Sequence, residues 1–160
     1  MLLDKTIADL TAGLRNKQFS SEELVLECYA RIEKLNPELN AFITIIDKKE
    51  ALAQAREKDK HRMSDKGPLY GIPFVLKDSY VTRGIRTTAA SNVLGDYIPQ
   101  YNATVYHKLL DAGAILLGKM NMDAWGHGGS TENTDFGPAK NPWNTSRVPG
   151  GSGGGPAVAV

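Results

Sequence analysis

Gly71-Ile72-Pro73-Phe74-Val75-Leu76-Lys77-Asp78 is the stretch from which the fold is read. Ile72 to Leu76 is a short apolar run bounded by turn signals, the pattern of a buried strand, with Pro73 near its start where a missing N–H does least harm. Lys77 follows at once. A charge at the end of a buried strand either snorkels to solvent or is placed for chemistry, and position alone favours snorkelling.

Outward from this strand the chain alternates. Downstream, a Gly84-Ile85-Arg86-Thr87-Thr88 loop leads to a helix from about Ala103 through Tyr106, Leu109 and Leu110. A second short apolar strand then runs from Ala114 to Leu117 and ends in Gly118-Lys119. Helix and apolar strand in alternation predict an α/β layered core. Gly126 to Ser130 is a small-residue loop.

Upstream of Gly67-Pro68 the composition changes. Lys5 to Asn16 carries Ile7, Leu10 and Leu14 at helical spacing. Ser20 with Glu23 three residues on forms a capping box, and Phe19 with Leu24 a hydrophobic staple. The apolar stripe of that helix is Leu24, Cys28, Ile32, Leu35, and Asn36-Pro37 is expected to end it. Ala41 to Ile46 reads as a short strand. Asp47, with Glu50, opens a helix to about Lys60, followed by a polar loop from His61 to Gly67. The expected organisation is a helical layer over residues 1–64 and the first part of an α/β core over 65–160.

The densest signal lies in Val148-Pro149-Gly150-Gly151-Ser152-Gly153-Gly154-Gly155-Pro156. Glycine serves where the backbone takes φ > 0 or approaches another group closely, so this loop is expected to order its N–H groups and one serine around something. A P-loop would need Lys-Ser/Thr after Gly155, and a dinucleotide fingerprint a last glycine where Pro156 stands. The pattern G-x-S-x-G fits at Gly150–Gly154, but no strand precedes it as a hydrolase elbow requires.

Composition narrows the class. The 160 residues are 41% hydrophobic and 23% charged with a net charge of +1, which gives no reason to expect a nucleic-acid or membrane surface. The single cysteine, Cys28, excludes an intrachain disulfide. His61, His107 and His127 stand alone, so no metal site is expected. Met1-Leu2-Leu3 meets Asp4 and Lys5 without an apolar signal core, and the expectation is a cytoplasmic protein. Pro156-Ala157-Val158-Ala159-Val160 reads as a helix being entered, hence as a truncation.

Several blocks, in one order, resemble the amidase signature family: Gly71–Asp78, Gly84–Thr88, Gly118-Lys119-Met120-Asn121-Met122-Asp123, Ser130-Thr131-Glu132-Asn133 and Val148–Ser152. Within that family they are most similar to the glutamine-hydrolysing tRNA amidotransferase branch. The resemblance covers nearly the whole chain. It implies an amidase-signature layered fold with a mixed β-sheet core flanked by helices, truncated at its C-terminal end. It also implies a Ser–cis-Ser–Lys catalytic unit, which reverses the reading of Lys77. Lys77 becomes the general base and Ser152 the bridging cis-serine, with Gly128, Gly129 and Ser130 as the substrate loop. The nucleophilic serine and its oxyanion loop are expected beyond Val160, so residues 1–160 are expected to be inactive alone.

The implied activity is hydrolysis of glutamine, supplying ammonia to convert Glu-tRNA(Gln) to Gln-tRNA(Gln). The implied partners are amidotransferase subunits B and C. The first of these uses ATP and Mg²⁺ and makes most of the tRNA contacts, and no cofactor is bound by this chain. Two departures stand out: Gly153 and Pro156 occupy the positions of the family loop's second and third serines, and Met122-Asp123-Ala124-Trp125-Gly126-His127 differs from the usual family block. A stand-alone amidase acting on small amides and a non-catalytic scaffold remain as alternatives.

Overall fold

A reciprocal pair of hydrogen bonds starts the longest helix. Ser20 Oγ accepts from the Glu23 N–H at 3.0 Å while the Glu23 carboxylate accepts from the Ser20 N–H at 2.8 Å, the capping box expected from the sequence. The Asp59 carboxylate takes the N–H groups of Ser21 and Glu22, so the helix begins with its orphan donors satisfied. In the computed structural model, which describes residues 2–61 and 67–160, the elements are α1 (Ile7–Arg15), α2 (Ser21–Leu39), β1 (Phe42–Ile45), α3 (Lys48–Asp59), β2 (Pro73–Lys77), α4 (Thr104–Asp111), β3 (Ile115–Met120) and α5 (Gly154–Ala159). The 64/65 boundary read from the sequence, and most of the His61–Gly67 loop, lie outside the described residues.

Three strands form one mixed sheet in the order β1-β3-β2. β1 and β3 are antiparallel, with Phe42 opposite Met120 and Ile45 opposite Gly118. β2 and β3 run the same way: Ile115 N–H bonds the Ile72 carbonyl at one end, and Asp78 N–H the Met120 carbonyl at the other.

Two compact units can be described separately. The first holds a small core of Leu10, Leu14, Leu24 and Ile72, with Leu2, Leu3, Phe19 and Leu69 packed on it. Its α3 starts as expected, with Asp47 accepting from Lys49 and Glu50 N–H. The second unit holds residues 35–45, 75–106 and 118–160, and with them every side chain of the site below.

Three expectations need correction. α2 does not end at Asn36-Pro37 but continues to Leu39. Pro37 removes one N–H so near the end that a single helical bond is lost, and Asn36 offsets it: its carbonyl accepts from Asn40 N–H and its Oδ1 from Phe42 N–H. Asn40, with φ +49°, closes the helix. The buried face of α2 is Leu24, Val25 and Tyr29, with Cys28 half-buried and Leu35 exposed. The tyrosine is admitted because its hydroxyl donates to the Ile46 carbonyl at 2.8 Å. Finally, β3 does not end in Gly118-Lys119; it runs on to Met120 with all six residues buried.

Candidate active site

Lys77 is the last residue of β2, and the chain turns immediately, with the Tyr80 N–H bonding the Lys77 carbonyl at 3.1 Å. Lys77 and Asp78, adjacent in the chain, have separate partners: Lys77 meets Ser152, and Asp78 meets Thr88 and Lys119. Lys77 is half-buried, and its Nζ donates to Ser152 Oγ at 2.6 Å. The structure thus brings together two residues that lie 75 positions apart.

The loop carrying Ser152 is held from several sides. Asp123 N–H donates to the Ser152 carbonyl at 2.9 Å, and Gly155 N–H to the Asn121 carbonyl at 3.0 Å. Thr131 Oγ1 donates to the Gly150 carbonyl and accepts from Gly154 N–H, both at 2.8 Å. Thr131 is fully buried with φ +62°, a conformation costing a β-branched residue about 1–3 kcal/mol; its two loop bonds offset that. The peptide bond between Gly151 and Ser152 is cis. Two of the loop glycines are there for room: a Cβ on Gly155 would meet the Ala41 and Asn121 backbones, and one on Gly151 would meet the Asp123 carboxylate and the backbone of Gly129 and Ser130.

That last contact sets the 129–130 backbone beside Gly151, next to Ser152, while Gly128 lies against Asp123. Gly128 and Gly129 are exposed and Ser130 half-buried. Asp123 is wedged beneath both loops, fully buried. Its Oδ1 accepts from Asn133 N–H at 3.2 Å, and its Oδ2 has no hydrogen-bond partner among the described residues. Sequence reasoning missed Asp123 and Thr131 as individual residues, for neither stands in a pattern that points to a loop clamp.

It also missed what lies behind Lys77. Asp78 and Lys119 are both fully buried and face each other at 3.1 Å. Burial pulls the Lys119 ammonium below the usual lysine range, while the Asp78 carboxylate opposes that shift. The ammonium donates to Thr87 Oγ1 at 2.7 Å and to Thr82 Oγ1 at 3.2 Å. The only hint in the sequence was a lysine one glycine beyond an apolar run.

Among the described residues, no group of three or more His, Cys, Asp or Glu side chains is placed to hold a metal ion, and no helix is long and apolar enough to cross a membrane. The Cys28 thiol is pushed up to about 12, chiefly by burial, so it behaves as a packing residue rather than a nucleophile.

A lysine amine held on a serine hydroxyl can pass a proton to and from a second hydroxyl, the requirement of acyl transfer at an amide. Comparison with known proteins gives the family. Residues 23–160 match the Amidase family. The A-subunit of the glutamyl-tRNA(Gln) amidotransferase of Methylococcus capsulatus is 49% identical over 157 residues, covering 98% of this chain and 32% of that protein. The crystal structure of the corresponding Thermotoga maritima protein aligns with a TM-score of 0.75 at 36% identity, covering 99% of this chain and 32% of that one. The native peptide amidase of Stenotrophomonas maltophilia aligns with a TM-score of 0.87 at 34% identity, covering 98% and 34%. The chain therefore spans about a third of the length of the relatives it matches. With the family's residues matched over most of its length and the family's fold in its sheet and helices, the chain belongs to the amidase family.

Proposed function

We propose that the whole protein is the glutamine-hydrolysing subunit of a tRNA amidotransferase, releasing ammonia that converts Glu-tRNA(Gln) to Gln-tRNA(Gln). The observation that carries this reading is the 2.6 Å contact from Lys77 Nζ to Ser152 Oγ, in a chain 49% identical to such a subunit. Lys77 acts as the base and Ser152 as the relay. A serine outside residues 1–160 attacks the glutamine amide carbon, and its proton passes through Ser152 to Lys77. Collapse of the tetrahedral intermediate breaks the C–N bond. The proton returns along the same path to the leaving nitrogen, which departs as ammonia. Water then releases glutamate from the acyl-enzyme by the same relay. Gly128, Gly129 and Ser130 line the amide, the last two beside Gly151.

In this reading residues 1–160 alone are inactive, because the relay has no nucleophile to serve. Subunits B and C complete the complex in the cytoplasm. The former uses ATP and Mg²⁺ and makes most of the tRNA contacts, and this chain binds no cofactor. A stand-alone amidase is the second reading, favoured by the TM-score of 0.87 to a peptide amidase.

Ammonia release from glutamine and from a panel of small amides, measured on the full-length protein with and without subunits B and C, separates the two. Glutamine hydrolysis stimulated by the partners is the expected result. Hydrolysis of small amides in preference to glutamine, without response to partners, would establish the second reading. No hydrolysis of any amide by the complex would leave only a non-catalytic scaffold.

A further inference from the structure

We propose that Asp78 and Lys119 form a buried positioning pair that fixes Lys77 on Ser152; this rests on Lys77 being the base proposed above. Lys77 sits where β2 gives way to a turn, the place where a strand most readily frays, yet its Nζ must stay at 2.6 Å from Ser152 Oγ. Reacting groups need placement within about 0.5 Å, which requires the supporting residues to be locked themselves.

Asp78 is locked through every polar group it has. Its N–H reaches the Met120 carbonyl and its carbonyl accepts from Ala89 N–H, both at 3.1 Å. Its Oδ2 accepts from Thr88 N–H at 2.8 Å and from Thr88 Oγ1 at 2.6 Å. Its Oδ1 makes no hydrogen bond but faces the Lys119 ammonium at 3.1 Å.

Lys119 is equally constrained. Its ammonium donates to Thr82 and Thr87 and forms an ion pair with Asp78. The pair thereby joins the end of β2 to β3 and to the 82–89 loop. A buried ion pair is weak evidence for stability, since well-packed apolar residues of similar volume often do as well. What such residues cannot reproduce is the direction in which the pair holds the β2 terminus. Among the described residues the pair makes no hydrogen bond to Ser152, so both residues act through Lys77.

The decisive variant is Asp78→Leu/Lys119→Met in the full-length complex. Removing both charges avoids leaving one buried and unpaired. The expected result is a folded protein whose kcat for glutamine falls about 10- to 100-fold with KM little changed, the signature of a misplaced reacting group. A folded double variant with parental kcat overturns the proposal. If the double variant does not fold, Thr87→Val removes the shortest Lys119 bond together with the longer contacts of Thr87 to Thr82 and the Ile85 carbonyl; a drop in kcat without a change in KM supports the proposal, and parental kcat overturns it.

If the parental complex hydrolyses no amide, the functional reading fails but the positioning pair can still be tested. The acylation rate of Lys77 by an amine-reactive ester, mapped by mass spectrometry, is expected to rise several-fold over that of surface lysines in the double variant or, if that does not fold, in Thr87→Val. An unchanged rate overturns the pair.

Discussion

The Cα of Gly153 faces the stem of Lys77: a Cβ built there would stand 3.4 Å from Lys77 Cδ and 3.8 Å from Cε, ordinary packing distances. The backbone at Gly153 has φ −107° and ψ 53°, which a residue with a side chain can adopt. Gly153→Ser is therefore expected to fold and to gain about 0.4–1 kcal/mol by restricting the unfolded chain. It would also set a second hydroxyl beside the base. Urea denaturation of the full-length protein checks this; a loss of stability would mean the loop has no room.

Gly151→Ala is the contrasting case. Its methyl would run into Asp123 Oδ2, the Ser130 nitrogen and the Gly129 carbonyl carbon. Overpacking of this kind costs about 1–3 kcal/mol, and the shift would separate the Ser152 loop from the 128–130 loop. Reduced stability together with a large loss of amide hydrolysis is expected; parental behaviour in both would contradict the wedge described for Asp123.

Lys77→Ala should remove nearly all amide hydrolysis, because positioned general-base catalysis is worth about 10²–10⁴-fold and no second amine touches Ser152 among the described residues. Ser152→Ala should cost several orders of magnitude and leave a remnant, since a water can stand between lysine and nucleophile. Steady-state kinetics with circular dichroism as the folding control separate the two. Near-parental turnover in folded Lys77→Ala would remove it from the role of base.

Cys28 should resist modification. Its thiol is pushed up to about 12 in the folded chain, from an ordinary value of 9.0. The sign follows from linkage: the folded state keeps a proton that the unfolded state gives up, so the stabilisation is full below about 9 and is lost as pH rises toward 12. At pH 8 a disulfide reagent should react with Cys28 far more slowly in the native protein than in urea. Equal rates would place the thiol in solvent.

Removing the α2 cap tests the local reading on its own. Ser20→Ala leaves the Glu23 N–H without its side-chain acceptor and should cost about 1 kcal/mol. The change should appear in the denaturation midpoint and leave the kinetics alone.

Local rules carried much of the chain. The capping box, the Asp47 cap of α3 and the apolar runs of β2 and β3 depend on neighbours within four residues or on a period, and both are written in the sequence. Lys77 and Ser152 were named from resemblance, since neither spacing nor composition links a strand end to a glycine loop 75 residues away. What the tertiary structure alone decided concerns partners that neither a capping rule nor a hydrophobic period names. Pro37 stays inside its helix because Asn36 finds Phe42. Tyr29 turns inward because the Ile46 carbonyl waits there. Lys119 lies buried because Asp78, Thr82 and Thr87, more than thirty positions earlier, surround its ammonium with one carboxylate and two hydroxyls. A lysine following an apolar run looks like an exit to water, since burying an unpaired ammonium is prohibitive; only the fold supplies the partners that make burial possible.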